Sequence, residues 1–268
     1  SVSAVAIACN VPVFRYALER WPADPYEVFV LHEGALDAEA QQQLEQLRIA
    51  SSRNSGTLNC IVRDVEVTDT QEEALKQLWK EKRSQKGEPM LVVLYPRSAR
   101  EVPDRLVAAK PLAPQSVEHL IDSPVRQQIA ANLLSGDSAV WIFVPSGDKS
   151  QDEVALRTLT EQVKHNQATV ERPPQEEIEA DEFFRSENPI ELRVGFSIVT
   201  LNRDDPAEEA LLEMLLASEP DLEQLNQPMA FPVIGRGRVL YALVGKGIFE
   251  DTIALASRFV VGPCSCQV

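Results

Sequence analysis

The strongest constraint on this 268-residue chain is that it repeats itself. "VPVFRYALERWPADPYEVFVL", from Val11, aligns without a gap on "SPVRQQIAANLLSGDSAVWIF", from Ser123, at an offset of 112 residues. Pro12-Val13 falls on Pro124-Val125 and Val28 on Val140. "CIVRDVEVTDTQEEAL" from Cys60 then matches "FSIVTLNRDDPAEEAL" from Phe196, and both end in Glu-Glu-Ala-Leu. "GEPMLVVLYP" pairs with "NQPMAFPVIG" through Pro89 and Pro228. Three blocks in the same order mark a duplicated segment, and a repeat sets the architecture before any motif does. The offset grows from 112 to 136 to 139, mostly through an insertion in the second copy at 165–189. That stretch is acidic and carries Pro173-Pro174, so it is expected to be an exposed loop.

Periodicity supplies the elements of each copy. In the first, 13–21 is expected to be helical, with Pro in its first turn, and Tyr26–Leu31 to be an apolar strand between Pro25 and Gly34. Leu36, Ala40, Leu44 and Leu47 share one face of a helix over 36–50. Strand 57–67, helix 70–83, strands 90–95 and 105–109 and a helix from about Ser116 follow. The second copy gives strand 139–144, helix 149–164, strand 192–201, helix 206–217, strands 229–234 and 238–244, and helix 249–260. "GRGR" at 235–238 supplies a hairpin turn, where glycine meets the demand for positive φ.

This β-α-β-α-β-β-α order, preceded by a helix, resembles the thioredoxin-like fold. In that family a proline, usually cis, stands immediately before the third core strand, and Pro89 and Pro228 occupy that place here. The resemblance covers most of residues 11–262. It implies an α/β chain of two tandem thioredoxin-like domains, each a mixed central sheet flanked by helices, at 10–122 and 123–268. Residues 1–9 would be a signal-peptide remnant or a first strand. The family's oxidoreductases carry Cys-x-x-Cys after the first core strand, at a helix N-terminus that lowers the thiolate pKa. Those places read "LHEGALDAE" (31–39) and "VPSGDKSQDE" (144–153), without cysteine. The pair therefore resembles the redox-silent tandem domains of protein disulfide isomerases or calsequestrin, which bind or scaffold.

Charge narrows the partners. With 41 Asp and Glu against 26 Lys and Arg the formal net charge is −15, which repels phosphate backbones and argues against nucleic acid. No stretch approaches the roughly 20 apolar residues of a membrane span. The opening "SVSAVAIAC" resembles the end of a secretory signal and, loosely, a lipoprotein box that would lipidate Cys9; an ordinary strand is the alternative. Export would permit disulfides among Cys9, Cys60, Cys264 and Cys266, for which three full pairings exist.

The closing Cys264-Ser265-Cys266 is the sharpest chemical candidate. It is expected to be a structural staple to Cys9 or Cys60; the alternatives are a soft-metal or redox pair and unpaired buried thiols. Zinc would want four ligands, and no His lies nearby in sequence. His32, beside Glu33, could do acid–base work, although a surface-turn role is the more ordinary one. His119 and His165 are isolated. Trp21, Trp79 and Trp141 are expected in the core, and Arg236 and Arg238 in a solvated hairpin. No phosphate loop, zinc-protease helix or serine-nucleophile elbow occurs. No cofactor is implied. The expectation is an exported, non-catalytic binding or scaffolding protein that takes a protein or peptide partner near Pro89 and Pro228. The alternative is a thiol-redox or copper-handling protein that uses Cys264 and Cys266.

Overall fold

The computed structural model describes residues 11–52, 57–100, 102–172 and 193–264. In chain order the elements are α1 (Val13–Glu19), β1 (Tyr26–His32), α2 (Ala38–Ala50), β2 (Cys60–Glu66), α3 (Glu73–Lys82), β3 (Met90–Leu94), β4 (Leu106–Pro111) and α4 (Pro114–Ile121). There follow α5 (Pro124–Leu134), β5 (Ala139–Val144), α6 (Lys149–Thr169), β6 (Phe196–Thr200), α7 (Glu209–Leu216), β7 (Met229–Ile234), β8 (Arg238–Val239), β9 (Leu243–Val244) and α8 (Glu250–Val261). The chain is thus α/β, with two mixed sheets. The first runs β2-β1-β3-β4; the second runs β6-β5-β7-β8, with β9 also paired to β7. Directions repeat as well as order: β1 is parallel to β2 and antiparallel to β3, and β5 is parallel to β6 and antiparallel to β7.

Contacts gather these elements into two compact units, and neither is a continuous half of the chain. One holds residues 24–124 with 203–225; the other holds 1–23, 125–202 and 226–268. The leading helix α1 is therefore counted with the second sheet, and α7 with the first. The physical reason for the placement of α7 lies in its side chains: Lys110 Nζ on β4 lies 3.0 Å from Glu209 Oε2 and 2.9 Å from Glu213 Oε2. Ala210 also joins the apolar cluster of the first sheet.

In the unit built on the first sheet, β1 decides the layering. Val28 and Val30 point into a cluster with Leu44 and Leu47 of α2 and Val117 and Leu120 of α4. Phe29 and Leu31 point the other way, to Leu75 and Trp79 of α3. The period of two thus loads both faces, which is why the strand reads as a nearly continuous apolar run. Glu27 interrupts it and is 8% exposed; Arg97 Nε lies 3.2 Å from Glu27 Oε1, and Arg105 bonds Oε2. Burial alone raises the Glu27 pKa, and the two arginines outweigh it to hold the carboxyl below its ordinary value.

In the other unit, Ala139, Trp141 and Phe143 of β5 pack with Leu159 and Val163 of α6, Ile253 and Val260 of α8, and Phe14 of α1. Inside that core Asn166 Nδ2 donates to Ser257 Oγ over 3.1 Å and ties α6 to α8. Helix α6 runs on to Thr169, so 165–169 is helical rather than loop; its apolar spacing extends through Val163 to the bonded Asn166. Residues 173–189 of the insertion lie outside the described residues. The strand expected over 238–244 is split into β8 and β9. Pro232 lies opposite and lacks an N–H; its carbonyl accepts from Leu240 N over 3.1 Å, so the missing donor falls on that edge. The register shifts by one residue there, as it does between β3 and β4 at Val93 and Leu94.

Phe29 is 1% exposed and stands where the α3 face of β1 is fullest. Phe29→Ala should cost about 3–5 kcal/mol. Urea unfolding followed by circular dichroism checks this; a loss below about 1 kcal/mol would contradict the assigned packing.

Candidate functional site

The carboxyl ends of adjacent parallel strands are where α/β sheets offer backbone groups and loops to a ligand. At the end of β1, His32 pairs in register with Glu66 of β2, and Leu31 pairs with Met90 on the other side, so Pro89 stands next to His32. His32 is the last strand residue, with its side chain 12% exposed, rather than a surface-turn residue. Its Nδ1 lies 2.7 Å from the Gly34 carbonyl, and its Nε2 lies 2.8 Å from Asp64 Oδ1. The carbonyl only accepts, so Nδ1 donates. A neutral ring has one N–H, so both bonds form together only when a second proton is shared between Nε2 and Asp64. Arg48 Nη2 lies 3.7 Å from the other Asp64 oxygen.

Glu66 closes the turn from beneath. Its Oε2 accepts from Gly34 N over 2.7 Å, and its Oε1 accepts from Thr68 Oγ1 over 2.9 Å. Gly34 has φ +82°, a conformation that disfavours any side chain. Burial alone raises the Glu66 pKa; the bonds from Thr68 and Gly34 and the charge of His32 outweigh it, leaving the carboxyl below the ordinary carboxylate range. Both ring nitrogens of His32 face the protein's own acceptors, the Gly34 carbonyl and Asp64. The arrangement makes a stiff polar rim, and Glu33 on its outer side lies 3.3 Å from Arg83 Nη1.

The second copy closes the same turn by other means. Val144 pairs with Met229, so Pro228 stands beside Pro145. Asp152, in the first turn of α6, accepts from Ser146 N and Ser146 Oγ, each over 2.7 Å, and from Gly147 N over 2.9 Å. Gly147 has φ +92°, matching Gly34. Asp37 and Asp148 cap the two following helices, with Asp37 Oδ1 accepting from Ala40 N over 2.8 Å and Asp148 Oδ1 from Ser150 N over 3.0 Å. The Pro89 and Pro228 carbonyls accept from Leu112 N and Gly245 N, each over 2.8 Å. Both prolines follow trans bonds, unlike the usual cis proline of the resembled family.

The remaining sequence candidates scatter. Cys60 begins β2 and is buried in the cluster with Val28 and Leu44, whereas Cys264 is buried with Val13 and Val261. Cys9 and Cys266 lie outside the described residues. Among the described residues no group of three His, Cys, Asp or Glu is arranged to hold a metal, and no helix is long and apolar enough to cross a membrane. His165 is exposed on α6. His119 of α4 faces Glu209 Oε2 at 3.7 Å, in a polar cleft with Lys110 and Asp205. Burial raises the Glu213 pKa against the pull of Lys110. Trp79 and Trp141 are core residues, and Trp21 is half-buried. The hairpin arginines are not merely solvated: Arg236 Nε donates to Leu18 O over 2.7 Å, and the Arg238 guanidinium lies 4.9 Å from the centre of the Trp21 ring.

What fold and site define together is an α/β protein with two mixed sheets, each ending in a carboxylate-closed turn beside a proline. Compared with known proteins, the sequence matches no family model and no curated protein. Sequence reasoning missed Asp64, Glu66 and Asp152. Asp64 and Glu66 alternate on one face of a strand parallel to β1, a signal legible only once the register is known.

The lowered Glu66 pKa carries a sign. A carboxylate depressed in the folded state contributes stability above its unfolded pKa, about 4.3, and loses it as pH falls through the folded value. Glu66→Gln should lower stability at pH 7 and flatten its decline below about pH 4. Chemical denaturation at a series of pH values measures both, and an unchanged acid limb would remove Glu66 from the turn.

Proposed function

We propose that the chain is a non-catalytic binding or scaffolding protein, built on two redox-silent thioredoxin-like copies and exported from the cytoplasm. Its partner is an extended peptide or protein segment, recognised at the strand ends beside Pro89 and Pro228. The observation that carries this reading is the closure of both turns by carboxylates. The N–H groups at the two helix N-termini, where a reactive thiolate would be stabilised, are engaged by the capping Asp37 and Asp148, and the turn N–H groups before them by Glu66 in one copy and Asp152 in the other. The shared strand order, the equivalent glycines and the proline before each third strand support the family assignment. Burial of Cys264, which is 9% exposed, weighs against an open Cys264–Cys266 redox or copper pair.

Rigid rims suit recognition because little ordering entropy is lost on binding. Nuclear magnetic resonance of the labelled chain, titrated with a library of extended peptides, tests the reading. Amide shifts should concentrate at Glu33–Gly34, Glu88–Met90, Ser146–Gly147 and Gln227–Met229. Glu88→Lys should weaken an arginine- or lysine-containing peptide by about fivefold or more, consistent with an exposed charge pair of roughly 1 kcal/mol. Shifts confined to other surfaces, or no response to any peptide, would overturn it.

A further inference from the structure

A polar cleft of about 450 Å³ opens beside α4, and every residue lining it belongs to the unit built on the first sheet. The volume is that of a small-molecule site, but the lining is unusual for one: among the described lining residues Pro206 alone is apolar. A ligand with an apolar body has nothing to pack against here.

The two walls offer opposite chemistry. One is the first turn of α4, where Gln115 and Ser116 line the cleft. Ala113, at the cap, has no side-chain acceptor, and the first backbone bond runs from Val117 N to Ala113 O. The N–H groups of Gln115 and Ser116 therefore have no acceptor among the described residues. The other wall is the segment 203–209, where Asp204 is exposed and Asp205 spends only Oδ1, on Ala207 N. Glu209 and His119 meet across the cleft. Their 3.7 Å separation is too long for a hydrogen bond, and His119 Nδ1 is buried without a hydrogen-bond partner. A polar ligand atom admitted by a small movement of the half-exposed Glu209 side chain would satisfy both. Lys110 adds no spare charge, since its Nζ lies 3.0 Å from Glu209 Oε2 and 2.9 Å from Glu213 Oε2.

We propose that this cleft binds a small zwitterion, a free α-amino acid. Its carboxylate accepts from the N–H groups of Gln115 and Ser116, the end of a helix that favours negative charge. Its ammonium donates to Glu209 and to Nδ1 of a neutral His119 ring, with Asp204 beside it. A simple anion would face Asp204, Asp205 and Glu209, and a simple cation would leave the α4 donors empty and meet Arg203. A zwitterion suits both walls. The cleft shares no residue with the strand ends assigned to the peptide, so either reading can fail without the other.

The experiment is a titration of the labelled full chain with glycine, serine and glutamine, followed by amide shifts. The Gln115 and Ser116 amides should move, with a Kd in the millimolar range or tighter. N-acetylglycine lacks the ammonium and glycine amide lacks the carboxylate, and each should bind at least about tenfold more weakly. Ala113→Asp would place a capping carboxylate on the same N–H groups, so it should abolish the shifts while leaving the thermal midpoint unchanged or higher. Asp204→Asn, at an exposed position, should weaken binding by about fivefold in a folded chain. No shift at α4 with any of the three amino acids would overturn the proposal. So would equal binding of either blocked glycine, undiminished binding by folded Ala113→Asp, or occupation by a neutral polyol such as glucose in their place.

Discussion

Everything in each sheet depends on one strand that must be covered on both faces. In β1 the alternation of Val28 and Val30 with Phe29 and Leu31 leaves no face for water, so helices are needed on either side. Fully burying one such side chain contributes about 1.5–3 kcal/mol, whereas a solvent-exposed ion pair in general contributes at most about 1. The apolar strand therefore sets the architecture, and the charges adjust it. Because β1 and β2 are parallel, the chain must cross over between them, and α2 is that crossover. The crossover in turn requires a turn at the end of β1, and Gly34 and Asp37 occupy it.

The two turns solve one problem with different chemistry. A strand that ends beside a helix N-terminus leaves backbone N–H groups in need of acceptors. Glu66 reaches the first turn from the neighbouring strand, while Asp152 reaches the second from within α6. The first solution couples two strands and a histidine; the second is local to seven residues of sequence. The two turns thus differ in their acceptors while each keeps a glycine of positive φ, Gly34 in one and Gly147 in the other.

Legibility followed the same division between apolar pattern and polar partnership. The strand expected at 139–144 is β5 to the residue, and the expected starts at Met90 and Met229 are those of β3 and β7, because uninterrupted apolar runs between turn signals have little freedom. Helix ends were less legible. The expected stop at 164 ignored that Asn166 could bury its amide against Ser257, and so α6 is longer. The break between β8 and β9 depends on a proline in the facing strand, which no pattern within 238–244 contains. His32 was visible as a candidate, but its environment was not: Asp64 and Glu66 are more than 30 residues away in sequence and meet it only through the parallel register.

The exchange of helices between copies has a related cause. Helix α7 begins with the same Glu-Glu-Ala-Leu string as α3, yet only α7 has Lys110 and the α4 surface against it. An apolar string tells a helix to find a core without saying which one. What chooses is the polar rim: Glu209 and Glu213 lie one turn apart and converge on a single ammonium group. Burial raises the Glu213 pKa, so the carboxylate tolerates its position only while Lys110 stays beside it. A duplicated chain with identical polar rims would leave each helix two nearly equivalent places to dock. The differences between the copies therefore do as much to specify this fold as the likeness does.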